Sequence, residues 1–174
     1  MVVIVMGVAG SGKSTVGLLL ASRLGWQFVE GDEYHSPSSV DRMRAGIPLS
    51  DADRQPWLAK LAALIAGWNT AGEDAVLTCS ALRRAYREQL GLGDGILYVY
   101  LRGTRVELEQ RLRDRQSHFA GVELLESQLA TLEEPAGDEP AVTVPLSDTP
   151  RQIVDRVASL LADRENTRDA NSLE

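Results

Sequence analysis

The sequence predicts an α/β fold, a five-stranded parallel sheet flanked by helices. Three observations carry this. Five short apolar runs are separated by longer helical patterns, the rhythm of strand and crossover helix. Each run is nearly continuous in apolar residues, as strands covered on both faces are. A glycine-rich loop joins the first run to the first helical stretch.

The predicted strands are Val2 to Met6, Trp26 to Glu30, Ala75 to Cys79, Ile96 to Leu101 and Val142 to Leu146. The first helix is expected from Lys13 to Leu24. A second carries Trp57, Leu58, Leu61, Leu64, Ile65 and Trp68 on one face, and a last one repeats the spacing through Ile153, Val154, Val157, Leu160 and Leu161. Trp57 and Trp68 on this stripe read as core. Thr104 with Glu107 and Thr149 with Gln152 have capping-box spacing, and Pro150 would occupy a first helical position. Tyr34 to Ser50 is polar and turn-rich. Gln116 to Asp138 is a long insertion of the kind that forms lids in enzymes. The expected organisation is one domain over 1–163 with a lid at about 116–138, then a polar, fraying tail over 164–174.

Composition narrows the classes. The chain has 174 residues, with 18 Lys and Arg against 25 Asp and Glu, a net charge of −7. One domain of this length buries roughly 70% of its extended surface, enough for a core without disulfides or metals. The negative balance argues against a general nucleic-acid or anionic-membrane binder, which needs a positive long-range field. The single cysteine, Cys79, has no partner for a disulfide or a zinc site and reads as a small core residue, which favours the cytoplasm. The apolar start lacks a basic leader, and no apolar stretch approaches the roughly 20 residues of a membrane span.

Gly7-Val8-Ala9-Gly10-Ser11-Gly12-Lys13-Ser14 matches GxxxxGK[ST] between a strand and a helix. Glycines let the backbone turn successive N–H groups toward an anion at a helix N-terminus. Gly7, Gly10, Ser11, Gly12, Lys13, Ser14 and Thr15 therefore form the predicted polyphosphate cradle. Lys13 is placed for the β- and γ-phosphates and the Ser14 hydroxyl for Mg²⁺. The motif names a nucleotide phosphate but no reaction.

The acceptor side is predicted at the end of the second strand. Ligands of open parallel sheets sit beyond the carboxyl ends of strands, which puts Asp32 beside the phosphate loop on a neighbouring strand. A carboxylate there orients or deprotonates a hydroxyl, or reaches the metal through water. His35 reads either as a substrate contact or as a solvated loop histidine. Arg54, preceded by Asp51 and Asp53, and Arg83, just after the third strand, are each able to clamp a carboxylate bidentately. Arg54 is equally placed to brace its helix start through those aspartates.

Longer blocks extend the pattern. They are Gly31-Asp32 with His35, Gly46-Ile47-Pro48-Leu49 through Trp57-Leu58, Cys79-Ser80-Ala81-Leu82-Arg83-Arg84 with Tyr86-Arg87, Arg111-Leu112 with Arg115 and His118-Phe119, and Leu124-Leu125 through Gln128 to Pro135. In these blocks the chain resembles the gluconokinases, P-loop kinases of sugar acids related in fold to adenylate and shikimate kinases. It departs at His35-Ser36-Pro37-Ser38-Ser39, where the family often has His-Pro followed by Asn. The resemblance implies a P-loop kinase fold, with ATP-dependent phosphorylation of D-gluconate at its 6-hydroxyl and Mg²⁺ as cofactor. It further implies Arg111 beside the adenine, Arg115 on the transferring phosphate, and a homodimer. The alternatives are a P-loop kinase for shikimate or a nucleoside monophosphate, and a non-catalytic nucleotide-binding protein.

Overall fold

The computed structural model describes residues 1–114 and 120–171. All five strands form, as β1 (Val2–Met6), β2 (Gln27–Glu30), β3 (Ala75–Thr78), β4 (Ile96–Arg102) and β5 (Ala141–Pro145). They pair in parallel in the order β2-β3-β1-β4-β5. The helices are α1 (Lys13–Leu24), α2 (Pro37–Arg44), α3 (Asp51–Ala71), α4 (Arg84–Leu90), α5 (Arg105–Asp114), α6 (Ala120–Thr131) and α7 (Pro150–Asn171), with a 3₁₀ turn at Gly31–Tyr34.

The continuous apolar strands split by side-chain alternation into two cores. On one face, Val3 and Val5 of β1 join Val16, Leu20 and Ala21 of α1 and Ile153, Val154, Val157 and Leu161 of α7. On the other, Val2, Ile4 and Met6 meet Trp57, Leu58, Leu61, Ile65 and Trp68 of α3 with Tyr86 and Leu90 of α4. Every residue of β1 is fully buried. A strand flanked by strands and covered by helices on both faces has no polar side to show, which is why its sequence lacks polar alternation.

Three expectations need correction. β2 is not the neighbour of β1, because β3 lies between them; Asp32 therefore approaches the phosphate loop across the end of β3. The polar stretch after Tyr34 is not all turn, since it holds the eight residues of α2. Ser36 caps this helix by accepting a hydrogen bond from Ser39 N at 3.1 Å, with Pro37 at the first helical position. The seryl departures from the family pattern thus serve the start of a helix. Finally, α7 carries helix to Asn171, into the polar tail over 164–174.

The capping boxes form as spaced. Glu107 accepts from Thr104 N at 2.7 Å and Gln152 from Thr149 N at 2.8 Å. A third box, Ser50 with Asp53, starts α3. The described part of the insertion, residues 120–138, is anchored: Leu125 of α6 is fully buried in the first core, with Leu129 and Leu132 packed against it.

Arg87 is the least expected core residue, at 0% exposure. Its Nε and Nη2 donate to the Glu139 carboxylate at 2.5 and 2.9 Å. Nη1 donates to Ala81 O at 3.0 Å and Glu133 O at 2.9 Å. A charge so deep is tolerable only with its donors satisfied, and removing one partner leaves the other uncompensated. Arg87→Met should cost about 3–5 kcal/mol in denaturant unfolding. Hydrogen bonding to Arg87 holds the Glu139 carboxyl below its ordinary value. A depressed folded value contributes stability above the ordinary glutamate range, about 4.3, and that stability is lost as pH falls through it. Stability against pH should therefore drop less steeply below pH 4 in Arg87→Met than in wild type.

Candidate active site

The site lies where β1, β3 and β2 release their chains at their carboxyl ends. After β1 the loop turns through Gly7, Gly10 and Gly12 at φ +145°, +80° and +89°, a region that side chains avoid, and the glycines of the motif are what make the turn possible. Gly12 caps α1, so the loop amides gather at a helix N-terminus. The Ser11 hydroxyl is buried here without a hydrogen-bond partner. Lys13 Nζ donates to Val8 O at 3.1 Å, which folds its side chain back over the loop.

After β2, Gly31 passes so close to β3 that a Cβ would sit 2.1 Å from Thr78 O. Only glycine fits, and the following 3₁₀ turn presents Asp32 and His35 toward the loop. Trp57 Nε1 donates to Gly31 O at 2.7 Å and fixes the turn from α3. The Trp57 ring then stacks on His35, with centroids 4.2 Å apart and planes inclined by 15°. Trp57 is core, as its spacing predicts, and also the shelf for a site histidine. The His35 side chain is only 4% exposed, its Nε2 lies 4.0 Å from Asp32 Oδ1, and its Nδ1 is buried without a partner. Burial, with a smaller push from Arg54, outweighs the pull of Asp32 and holds the imidazole below its ordinary 6.5. It is neutral at pH 7 and so offers both a donor and an acceptor.

After β3 the chain takes a strained step, because Ala81 has φ +44° without being glycine. The Arg87 donation to Ala81 O holds that step, and so ties the buried core to the backbone between Ser80 and Arg83. Cys79 is buried and its thiol is pushed up to about 12 by desolvation, an inert core residue.

Two clefts share the phosphate loop as a wall. One is lined by Gly10, Ser11, Gly12 and Thr15 with Arg111, Asp114, Asp148 and Pro150. Arg111 Nη2 donates to Leu146 O at 2.8 Å, which holds this guanidinium along the cleft. Arg113 pairs with Glu109 at 3.0 Å on the exposed side of the same helix. The other cleft is lined by Ala9, Lys13, Asp32, His35, Met43, Leu49, Arg54, Trp57, Ser80, Leu82, Leu124 and Gln128. Lys13, Asp32, His35 and Arg54, far apart in sequence, thus meet in one place. Arg83 does not line that cleft. It pairs with Asp51 at 2.8 Å, and Asp51 also lies 3.8 Å from Arg54 and accepts from Tyr86 OH at 2.5 Å. Arg54 therefore does contact the helix-start aspartate, while keeping one face on the cleft. Arg115, His118 and Phe119 lie outside the described residues.

A family model for an AAA domain matches residues 2–135. A gluconokinase of Gluconobacter oxydans is 52% identical over 142 residues, which cover 81% of this chain and 80% of that protein. The chain belongs to the gluconokinase family. A solved gluconokinase of Sinorhizobium meliloti superposes with a TM-score of 0.85 at 40% identity, covering 97% of this chain and 95% of its own. A solved sugar kinase of Janibacter gives 0.86 at 40% identity, with 92% and 94% covered. The five-stranded sheet and helices described above are thus those of a gluconokinase.

Several side chains in the cleft escaped the sequence reading. Gln128 in the cleft, and Tyr86 behind it on Asp51, sit inside blocks that resemble those of the gluconokinases, which was the available signal. Leu49 and Leu124 fall in such blocks too, but an apolar residue lining a cleft is patterned like any other apolar residue.

Proposed function

We propose that this chain transfers the γ-phosphoryl group of ATP to the 6-hydroxyl of D-gluconate, giving 6-phosphogluconate and ADP. The observation that carries the reading is the phosphate loop as the common wall of two clefts, with Lys13 facing the one that also holds Asp32, His35 and Arg54. One cleft suits the nucleotide, with the loop amides and Ser11 on its phosphates and Arg111 along its base. The other suits a hydroxyl-rich anion.

The residues divide the work. Asp32 orients the acceptor hydroxyl and takes its proton as the new P–O bond forms and the bond to the ADP oxygen breaks. Lys13 neutralises charge on the transferring group. Arg54 binds the gluconate carboxylate, with Arg83 and Tyr86 bracing it through Asp51, and His35 donates to or accepts from a mid-chain hydroxyl. Among the described residues no cluster of three His, Cys, Asp or Glu could hold a metal. Mg²⁺ would ride on the phosphates of the nucleotide, held from the protein side by the exposed Ser14 hydroxyl at the start of α1. Mg²⁺ supplies charge neutralisation on the phosphates. The insertion over 116–138 serves as the lid, with Arg115 completing the phosphate site. The same reading implies a cytoplasmic enzyme that works as a homodimer.

The role of Arg54 tests the acceptor. Arg54→Lys should raise the Michaelis constant for gluconate by roughly one to two orders of magnitude, because a point charge replaces a planar fork worth about 1.5–3 kcal/mol. ATP binding should stay unchanged. Glucose lacks the carboxylate and should be a poor acceptor for wild type, with the gap narrowed in the variant. If gluconate and glucose suffer equally, Arg54 only braces Asp51 and is not the carboxylate ligand.

A further inference from the structure

α6 gives the acceptor cleft two side chains one turn apart, Leu124 and Gln128, and Gln128 is the polar one. Its Oε1 accepts a hydrogen bond from Ala9 N of the phosphate loop at 2.6 Å, joining residues 119 apart in sequence. That is the one hydrogen bond of the Gln128 side chain among the described residues. A carboxamide is planar, so fixing its oxygen on the loop also fixes its nitrogen, and two Nε2 donors are left for the cleft. An uncharged donor in the cleft that Lys13 also lines suits a hydroxyl oxygen better than a carboxylate, for which the same cleft holds Arg54. Resting on the gluconate reading above, we infer that Gln128 is a specificity residue whose Nε2 donates to the 5-hydroxyl, next to the reacting one. The reacting end must reach both Lys13 and Asp32, and Ala9 belongs to the same phosphate loop as Lys13 and lines the same cleft. The carbon beside it is the one within reach of an amide anchored to the loop.

The experiment compares gluconate and 5-deoxygluconate as acceptors for wild type, Gln128→Leu and Gln128→Glu. With gluconate, Gln128→Leu should lower kcat/KM about tenfold, the value of one hydrogen bond, at an unchanged KM for ATP. With 5-deoxygluconate it should change little, because the partner hydroxyl is already gone. Gln128→Glu keeps an acceptor for Ala9 N but loses the donor, so it should restore thermal stability without restoring the gluconate rate. Equal losses on both acceptors, or a wild-type rate in Gln128→Glu, would make Gln128 only a tether between α6 and the loop and overturn the inference. A wild type that fails to phosphorylate gluconate would instead overturn the underlying reading, and this inference with it.

Discussion

Lys13→Ala is expected to fold normally and to lose roughly 10³-fold in turnover, about 4 kcal/mol of transition-state stabilisation. The side chain starts at the first residue of α1 and reaches back over the loop to Val8 O. Its ammonium is therefore already positioned beside the loop amides before substrate arrives, and preorganised charge is what lowers the barrier to phosphoryl transfer. The helix does not need it, because Gly12 caps α1 and the buried face of that helix is built by Val16, Leu20 and Ala21. Single-turnover kinetics with an unfolding curve on the same variant would check both halves. Turnover near wild type in a folded variant would contradict the assignment.

Asp32→Asn should be nearly as severe, with a loss of roughly 10²- to 10⁴-fold in turnover and ATP affinity unchanged. Asparagine preserves shape and hydrogen bonding while removing the charge that draws the hydroxyl proton. Nucleotide binding should be spared because Asp32 follows β2, two positions across the sheet from the strand that feeds the loop. Should ATP binding fail while the rate at saturation survives, Asp32 serves the nucleotide.

Much of this arrangement was legible in the sequence, and what was not has physical reasons. The strands were legible because their burial on two faces leaves them without polar alternation, and the loop because its glycines and Lys13-Ser14 have no other use. Strand order was not, since nothing local in Ala75–Thr78 says that it inserts between β1 and β2. α2 was hidden by a polar composition, although Ser36-Pro37 is a sound start signal. Arg87 reads as a surface arginine, and only the approach of Glu139, 52 residues away, makes it a core residue. The pairing of Arg83 with Asp51 spans 32 residues and depends on how α3 and α4 pack. The site residues near a strand end were visible because their place is set by topology, whereas those on α6 depend on how the insertion folds back.

The most direct test of the central claim is the acceptor itself. Purified protein with ATP and Mg²⁺ should be offered gluconate, shikimate, CMP and AMP in parallel, with ADP followed by a coupled assay and the product by phosphorus–proton correlation NMR. Rapid ADP release with gluconate alone is expected, with a phosphate coupled to the protons on C6. Turnover with shikimate or a nucleotide in preference to gluconate, phosphate on another carbon, or nucleotide binding with no acceptor-dependent turnover at all would contradict it.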